Sequence, residues 1–284
     1  MDKLISTNPA DNYSVVGEVE ISNDTQIKEK VALANRVKTE WKEFGVKERI
    51  AKLIPIRDEF RTRTREIAEL ISKETGKAIT ESISEVSRYT DKELTWFLDN
   101  GERALQDEPT LQDDESSHKI VYEPYGVAAV IAPWNFPFGM AVWGIFPNLI
   151  AGNTVVFKTS EECPLTGKLI EEIILNHELP EGVFNEVYGD GEIGKKLVES
   201  DINLIWFTGS TKTGQALYKM AAEKFIKAVL EMGGSNPCVV FEDANPDEII
   251  SVIFNSRYRN NGQVCSALKR LIVHESIADE LISK

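Results

Sequence analysis

The apolar positions change rhythm along the chain, and that change predicts its organisation. Val31, Ala34, Val37, Lys38 and Trp41 recur at helical spacing, with Asp24 or Asn23 placed to cap the helix they form. Leu53, Ile56, Phe60, Ile67, Leu70 and Ile71 continue the pattern from Ile50 to Ser72, and after Gly76 a third helical stretch runs to about Ala104. The first hundred residues therefore read as helices. Residues 106–117, acidic and turn-prone, read as a linker or excursion, and Lys119 to Glu123 alternate as a half-buried strand would.

From Gly126 the pattern becomes short apolar runs separated by helical stretches. The runs are Val127–Ala132, Thr154–Phe157, Phe184–Tyr188 and Leu204–Phe207, and the helical stretches cover 139–151, 163–176 and 190–199. Repeated strand, helix, strand predicts an α/β fold with a doubly wound parallel sheet. Continuous rather than alternating apolar runs fit strands covered on both faces. Further strands are expected at Ala228–Leu230 and Cys238–Phe241, then a helix over Pro246–Asn260. An amphipathic helix starts near Ile277, and the sequence stops inside it at Lys284, which predicts an incomplete domain.

Composition narrows the function classes. The 284 residues are 42% hydrophobic and 27% charged, close to globular averages. No run reaches the roughly 18 apolar residues of a membrane span, and the start lacks a secretory signal, so no membrane role is expected. Lys and Arg number 32 against 46 Asp and Glu, a net charge of −14 that argues against nucleic acid. The 3 cysteines, at 163, 238 and 265, form neither a disulfide framework nor a metal spacing, which fits a cytoplasmic setting and no metal. The 3 histidines lie far apart and read as surface residues.

Five segments carry candidate chemistry, each with a plainer reading beside it. Pro133-Trp134-Asn135-Phe136-Pro137 follows the first sheet strand; the Asn135 amide either stabilises a developing oxyanion or ties a tight turn. Lys158 and Glu161 follow the second strand, where a carboxylate can hold a ribose hydroxyl or merely face solvent. Phe207-Thr208-Gly209-Ser210, with Gly214 beyond, passes from strand to helix and suits a pyrophosphate, but it matches neither a P-loop nor the usual dinucleotide fingerprint. Glu231, in Leu230-Glu231-Met232-Gly233-Gly234, closes an apolar run; burial would raise it towards a general base, and exposure would leave a strand-end glutamate. Cys265, in Asn261-Gly262-Gln263-Val264-Cys265, sits in a polar, glycine-bearing run suited to an accessible nucleophile, whereas Cys163 and Cys238 read as packing residues.

Together and in this order, the five segments resemble the aldehyde dehydrogenase superfamily, over essentially the whole chain. The Gly-Gly-Ser-Asn-Pro and Asn-Gly-Gln-Val-Cys wording is most similar to bacterial succinate-semialdehyde dehydrogenases. The resemblance implies Cys265 as nucleophile, Asn135 as oxyanion donor and Glu231 as base for thioester hydrolysis. It places Trp134, Lys158, Glu161, Gly209, Ser210 and Gly214 around the cofactor, with NAD favoured over NADP because Glu161 repels a 2′-phosphate. It also implies an NAD-binding domain over 1–230, including residues 106–124 as part of an oligomerisation arm, and the start of an α/β catalytic domain over 231–284. Family chains are longer and assemble as homodimers or homotetramers. Succinate-semialdehyde enzymes tend to carry an arginine where this chain has Trp143; with Phe136 and Met140 nearby, the substrate pocket reads apolar, while Arg259 is a candidate partner for an acidic tail. The alternatives are a relative that passes the acyl group to coenzyme A and a non-catalytic, nucleotide-binding fragment.

Overall fold

The computed structural model describes residues 2–284. The chain divides into two compact units, Met1–Glu231 and Met232–Lys284.

The first unit opens with a feature the helical reading missed. Strands β1 (Lys3–Asn8) and β2 (Ser14–Glu20) form an antiparallel hairpin. Their mixed polar sequences bury little beyond Ser6 and Val19, so they carry no clean alternation to read. Helix α1 (Asp24–Glu43) starts at Asn23, whose side chain accepts from the Gln26 N–H while the Gln26 side chain accepts from the Asn23 N–H. The single stretch expected over Ile50–Ser72 is two helices, α2 (Gly45–Thr62) and α3 (Thr64–Thr75). Arg63 breaks them at φ −96°, ψ 14°, and its guanidinium bonds Glu59, Glu66 and Glu172. Apolar spacing runs on across the break, which is why periodicity does not reveal it. Then come α4 (Ile79–Arg88), a wide π-helical turn (Tyr89–Leu94) and α5 (Thr95–Ala104).

Residues 106–124 also differ from expectation. Strands β3 (Glu108–Gln112) and β4 (Ser117–Ile120) pair antiparallel into a ribbon. Every residue of both strands is exposed, so the half-buried strand expected at Lys119–Glu123 is corrected: no layer of this unit covers either face.

The doubly wound sheet follows as expected. Strands β5 (Val127–Ile131), β6 (Thr154–Lys158), β7 (Phe184–Glu186), β8 (Leu204–Gly209) and β9 (Lys227–Met232) stand in the order β7-β6-β5-β8-β9. The β5–β6, β5–β8 and β6–β7 pairs are parallel. Helices α6 (Pro137–Ala151), α7 (Pro164–Leu175), α8 (Gly191–Glu199) and α9 (Thr211–Lys224) connect them. β6 is buried at every position, which explains its unbroken apolar run. Helix α6 packs close to β5 because Gly144 leaves room: a Cβ there would stand 2.3 Å from Val130 Cγ1. The core joins the N-terminal helices to this sheet, with the Phe60 ring edge-on to Phe138 at 5.0 Å and to Phe146 at 5.9 Å. Burying each such ring contributes about 1.5–3 kcal/mol.

The second unit holds β10 (Asn236–Val240), α10 (Pro246–Tyr258), β11 (Leu268–Val273) and α11 (Glu275–Ser283). β10 and β11 pair in parallel; β11 escapes the sequence reading because its charged and apolar residues follow no regular period.

Candidate active site

In an open α/β sheet, ligands bind beyond the carboxyl ends of the strands where the strand order reverses. Here that point lies between β5 and β8, because the chain builds outward from β5 through β6 to β7 and then returns to β8. The loop after β5 holds Trp134 and Asn135, and β8 ends at Gly209 with Ser210 next. The adjoining strand β6 ends at Lys158, and Glu161 follows three residues later. Six of the predicted residues thus gather at one end of the sheet.

The side chain of Lys158 is 4% exposed, its Nζ donates to the Thr159 carbonyl at 3.0 Å, and Glu161 stands 3.5 Å away with a 44% exposed carboxylate. Burial pushes the Lys158 ammonium below the ordinary lysine range, and Glu161 opposes that shift. Glu161 therefore offers solvent-facing acceptor oxygens held by an inward-facing cation. On α9, the Ser210 side chain accepts from the Thr213 N–H at 3.1 Å, and buried Gly214 lies in the first turn. That helix start presents further backbone N–H groups and the positive end of the helix dipole. The residues fit a dinucleotide: acceptors for ribose hydroxyls on one side and a helix N-terminus for phosphates on the other.

Asn135 is half-buried, and Trp134 beside it is 39% exposed. Two buried charged residues that the sequence reading passed over hold this loop. Lys77 Nζ donates to the Asn135 carbonyl at 2.7 Å, lies 4.1 Å from the centre of the Phe136 ring and pairs with Glu85. Glu85 Oε1 accepts from the N–H groups of Phe138 at 3.2 Å and Gly139 at 3.0 Å. Burial pushes the Glu85 carboxyl above the usual carboxylate range, and Lys77 pulls it back. Lys77 lies in the link between α3 and α4 and Glu85 lies on α4; in the sequence both charges look solvated, and no local signal marks them as buried.

The expected substrate-pocket residues on α6 pack inward. Met140 is buried in the core, while Phe136 and Trp143 lie partly buried against it. The Trp143 ring is edge-on to Tyr89 at 5.8 Å, and its buried Nε1 has no hydrogen-bond partner among the described residues. Glu231, near the end of β9, is exposed, so the exposed alternative applies.

In the second unit, Cys265 is exposed while Cys238 is half-buried and Cys163, in the first unit, is fully buried. Asn260, Asn261 and Gly262 adopt positive φ values of 50°, 55° and 77° in succession. Asparagine and glycine are the residues that tolerate this region, which is why the Asn-Asn-Gly sequence stands there. The chain then turns at Val264–Ala267, where the Ala267 N–H bonds the Val264 carbonyl at 3.1 Å, and Cys265 sits at the exposed corner between two buried anchors. The Asn236 side chain ties the turn down, donating to the carbonyls of Cys265 at 2.8 Å and Ala267 at 3.3 Å. Asn236 is a third residue the sequence reading left unassigned, visible only as part of its motif. Arg259 is exposed at the end of α10.

Comparison with known proteins shows the family. The Aldehyde dehydrogenase family matches residues 2–284, and the chain belongs to that family. It is 34% identical to the 1-pyrroline-5-carboxylate dehydrogenase of Staphylococcus saprophyticus, over 100% of this chain and 56% of that protein. It is 33% identical to the succinate semialdehyde dehydrogenase [NAD(P)+] Sad of Escherichia coli, over 96% of this chain and 59% of that protein. The structure of lactaldehyde dehydrogenase from Escherichia coli superposes with a TM-score of 0.94 at 30% identity, covering 100% of this chain and 59% of that one. The chain therefore spans somewhat over half the length of the relatives it matches. No described helix is long and apolar enough to cross a membrane.

Proposed function

We propose that this chain supplies the cofactor-binding unit and the nucleophile of an NAD-linked enzyme that oxidises an aldehyde to a carboxylic acid. The observation that carries the reading is Cys265, the exposed thiol on a pinned turn in a chain of the aldehyde dehydrogenase family. The Cys265 thiolate adds to the aldehyde carbon, forming a C–S bond and an oxyanion. That oxygen needs N–H donors, each worth about 3–4 kcal/mol to the transition state, and family resemblance gives the role to the Asn135 amide and to the Cys265 N–H. NAD, when bound, supplies the oxidant by accepting hydride. Glu231 takes a proton from the water that cleaves the resulting thioester, and its exposure lets water reach it.

Lys158 and Glu161 would hold the adenosine ribose, with Trp134, Gly209, Ser210 and Gly214 along the rest of the cofactor. The open carboxylate of Glu161 favours NAD over NADP, since a 2′-phosphate would meet a like charge. For the substrate, the apolar character of Phe136, Met140 and Trp143, with no charged residue among them, supports an apolar aldehyde. Arg259 supports a semialdehyde. The first unit serves as the NAD-binding domain and the second as the start of the catalytic domain. The exposed β3–β4 ribbon, carrying Leu111 and Ile120, supports assembly into homodimers or homotetramers, and three free thiols support a reducing, cytoplasmic setting.

The test is NADH formation with a long aliphatic aldehyde and, separately, succinic semialdehyde, using Cys265→Ser as control. Cys265-dependent NADH with free acid as product is expected, and Glu231→Gln should accumulate acyl-enzyme. Turnover retained in Cys265→Ser would refute the reading, and acyl-coenzyme A as product would assign the chain to the acylating alternative.

A further inference from the structure

We propose that the buried Lys77–Glu85 pair is the positioning device for Asn135, holding the loop after β5 in the conformation that oxyanion binding requires; this rests on the role proposed for Asn135 above.

The two side chains are 1% and 0% exposed. Buried ion pairs are poor sources of stability, because desolvation offsets their attraction. What singles this one out is where its other bonds go. Lys77 donates to the Asn135 carbonyl, and Glu85 accepts from the Phe138 and Gly139 N–H groups. The pair therefore grips the short segment 135–139 from both sides.

Pro133 and Pro137 have no N–H to donate. Helix α6 begins with Phe136 at the capping position, Pro137 next, and no capping side chain of its own. A helix start usually satisfies its second and third N–H groups with a Ser, Thr, Asp or Asn just before it. Here those groups belong to Phe138 and Gly139, and Glu85 of α4 serves them instead. The carboxylate at the positive end of the helix dipole is itself favoured there. Lys77 then fixes the carbonyl one residue before the helix cap, and with it the plane of the peptide that carries Asn135. The Lys77 ammonium over the Phe136 ring leaves the aromatic side chain little freedom to swing aside.

An oxyanion donor acts on the transition state and not on the bound aldehyde. Loss of its orientation therefore lowers kcat and leaves KM close to its original value. Removing an oxyanion donor outright costs about 100- to 1,000-fold, and a displacement of about 1 Å costs about 100-fold, so a loosened loop should cost about 10- to 100-fold.

The variants are Lys77→Met and the double variant Lys77→Met/Glu85→Gln. The single change leaves a buried carboxylate unpaired and can impair folding. The double change removes both charges while a glutamine oxygen still faces Phe138 and Gly139, so it tests positioning in a folded protein. Two readouts are taken on the full chain: amide hydrogen exchange over residues 134–139, and aldehyde-dependent NADH formation at varied substrate. The expected result is exchange at least about tenfold faster at those amides, the equivalent of one lost hydrogen bond, with no change in α2 or α7. With it, kcat falls about 10- to 100-fold and KM stays within about threefold. Unchanged exchange at 134–139 in the folded double variant overturns the proposal, as does unchanged kcat where the parent chain is active. If the parent chain forms no NADH, the catalytic reading fails for this chain, and the exchange measurement alone decides whether the pair positions the loop.

Discussion

Replacing Glu74 should destabilise the first unit by an amount that can be worked out from its hydrogen bonds. Glu74, in the last turn of α3, is 4% exposed. One carboxylate oxygen accepts from the Ser6 hydroxyl at 2.7 Å and the Leu165 N–H at 2.9 Å; the other accepts from the Thr166 N–H and hydroxyl, both at 2.7 Å. Helix α7 has Pro164 in its first turn and no side-chain cap at Cys163, so Glu74 serves α7 as Glu85 serves α6. Burial pushes the Glu74 carboxyl above its usual range, and its four donors oppose the shift. In Glu74→Ala the Leu165 and Thr166 N–H groups both lose their acceptor, at about 1–3 kcal/mol each, so the loss should be about 2–6 kcal/mol. In Glu74→Gln the carboxamide oxygen keeps one side. On the other, the hydroxyl can turn to accept from the new NH₂, and only one N–H is stranded, for about 1–3 kcal/mol before relief of carboxylate desolvation. The assay is urea unfolding followed by tryptophan fluorescence. All 5 tryptophans (41, 96, 134, 143 and 206) lie in the first unit, so the signal reports that unit alone. Equal losses for Ala and Gln, or a loss under about 1 kcal/mol for Ala, would refute the reasoning.

Two further outcomes follow from burial. In the native chain, iodoacetamide should modify Cys265 fastest and half-buried Cys238 more slowly. Cys163 should react only after unfolding, because burial holds its thiol well above the ordinary range; modification of native Cys163 at pH 9 would contradict its placement. Glu186 is fully buried, close to Glu171, Tyr188 and Lys30. Desolvation pushes its carboxyl well above the usual range, so above about pH 4.3 the unfolded chain releases a proton that the folded chain keeps. Its contribution is complete below that value and is lost as pH rises towards the raised folded value. Glu186→Gln should therefore stabilise the chain more at pH 7 than at pH 5, as read by thermal unfolding, and equal effects at both pH values would count against it.

The sequence by itself determined the elements whose burial is uniform along the chain. β5 and β6 are covered on both faces, so their residues form unbroken apolar runs, α6 is apolar nearly all round, and α7, α8 and α9 each show one apolar stripe. It also determined the chemical vocabulary at the strand ends, because Asn-Phe-Pro, Asn-Asn-Gly and an exposed cysteine are local features. Each is short enough to read in place: the positive φ values at Asn260 to Gly262 need residues that tolerate them, wherever the segment lies. The hairpin of β1 and β2 was not legible, since weakly buried strands leave no period to detect. Nor was the break at Arg63, where helical spacing continues through a change in backbone direction. Above all, only the tertiary structure decided what the charged residues do. Lys77 meets Asn135 across 58 positions of sequence, and Glu74 meets Thr166 across 92. A charge on a helix looks the same in sequence whether it faces water or the start of another helix. Its partner is set by packing between distant elements, and that packing turns two ordinary glutamates into the caps of α6 and α7.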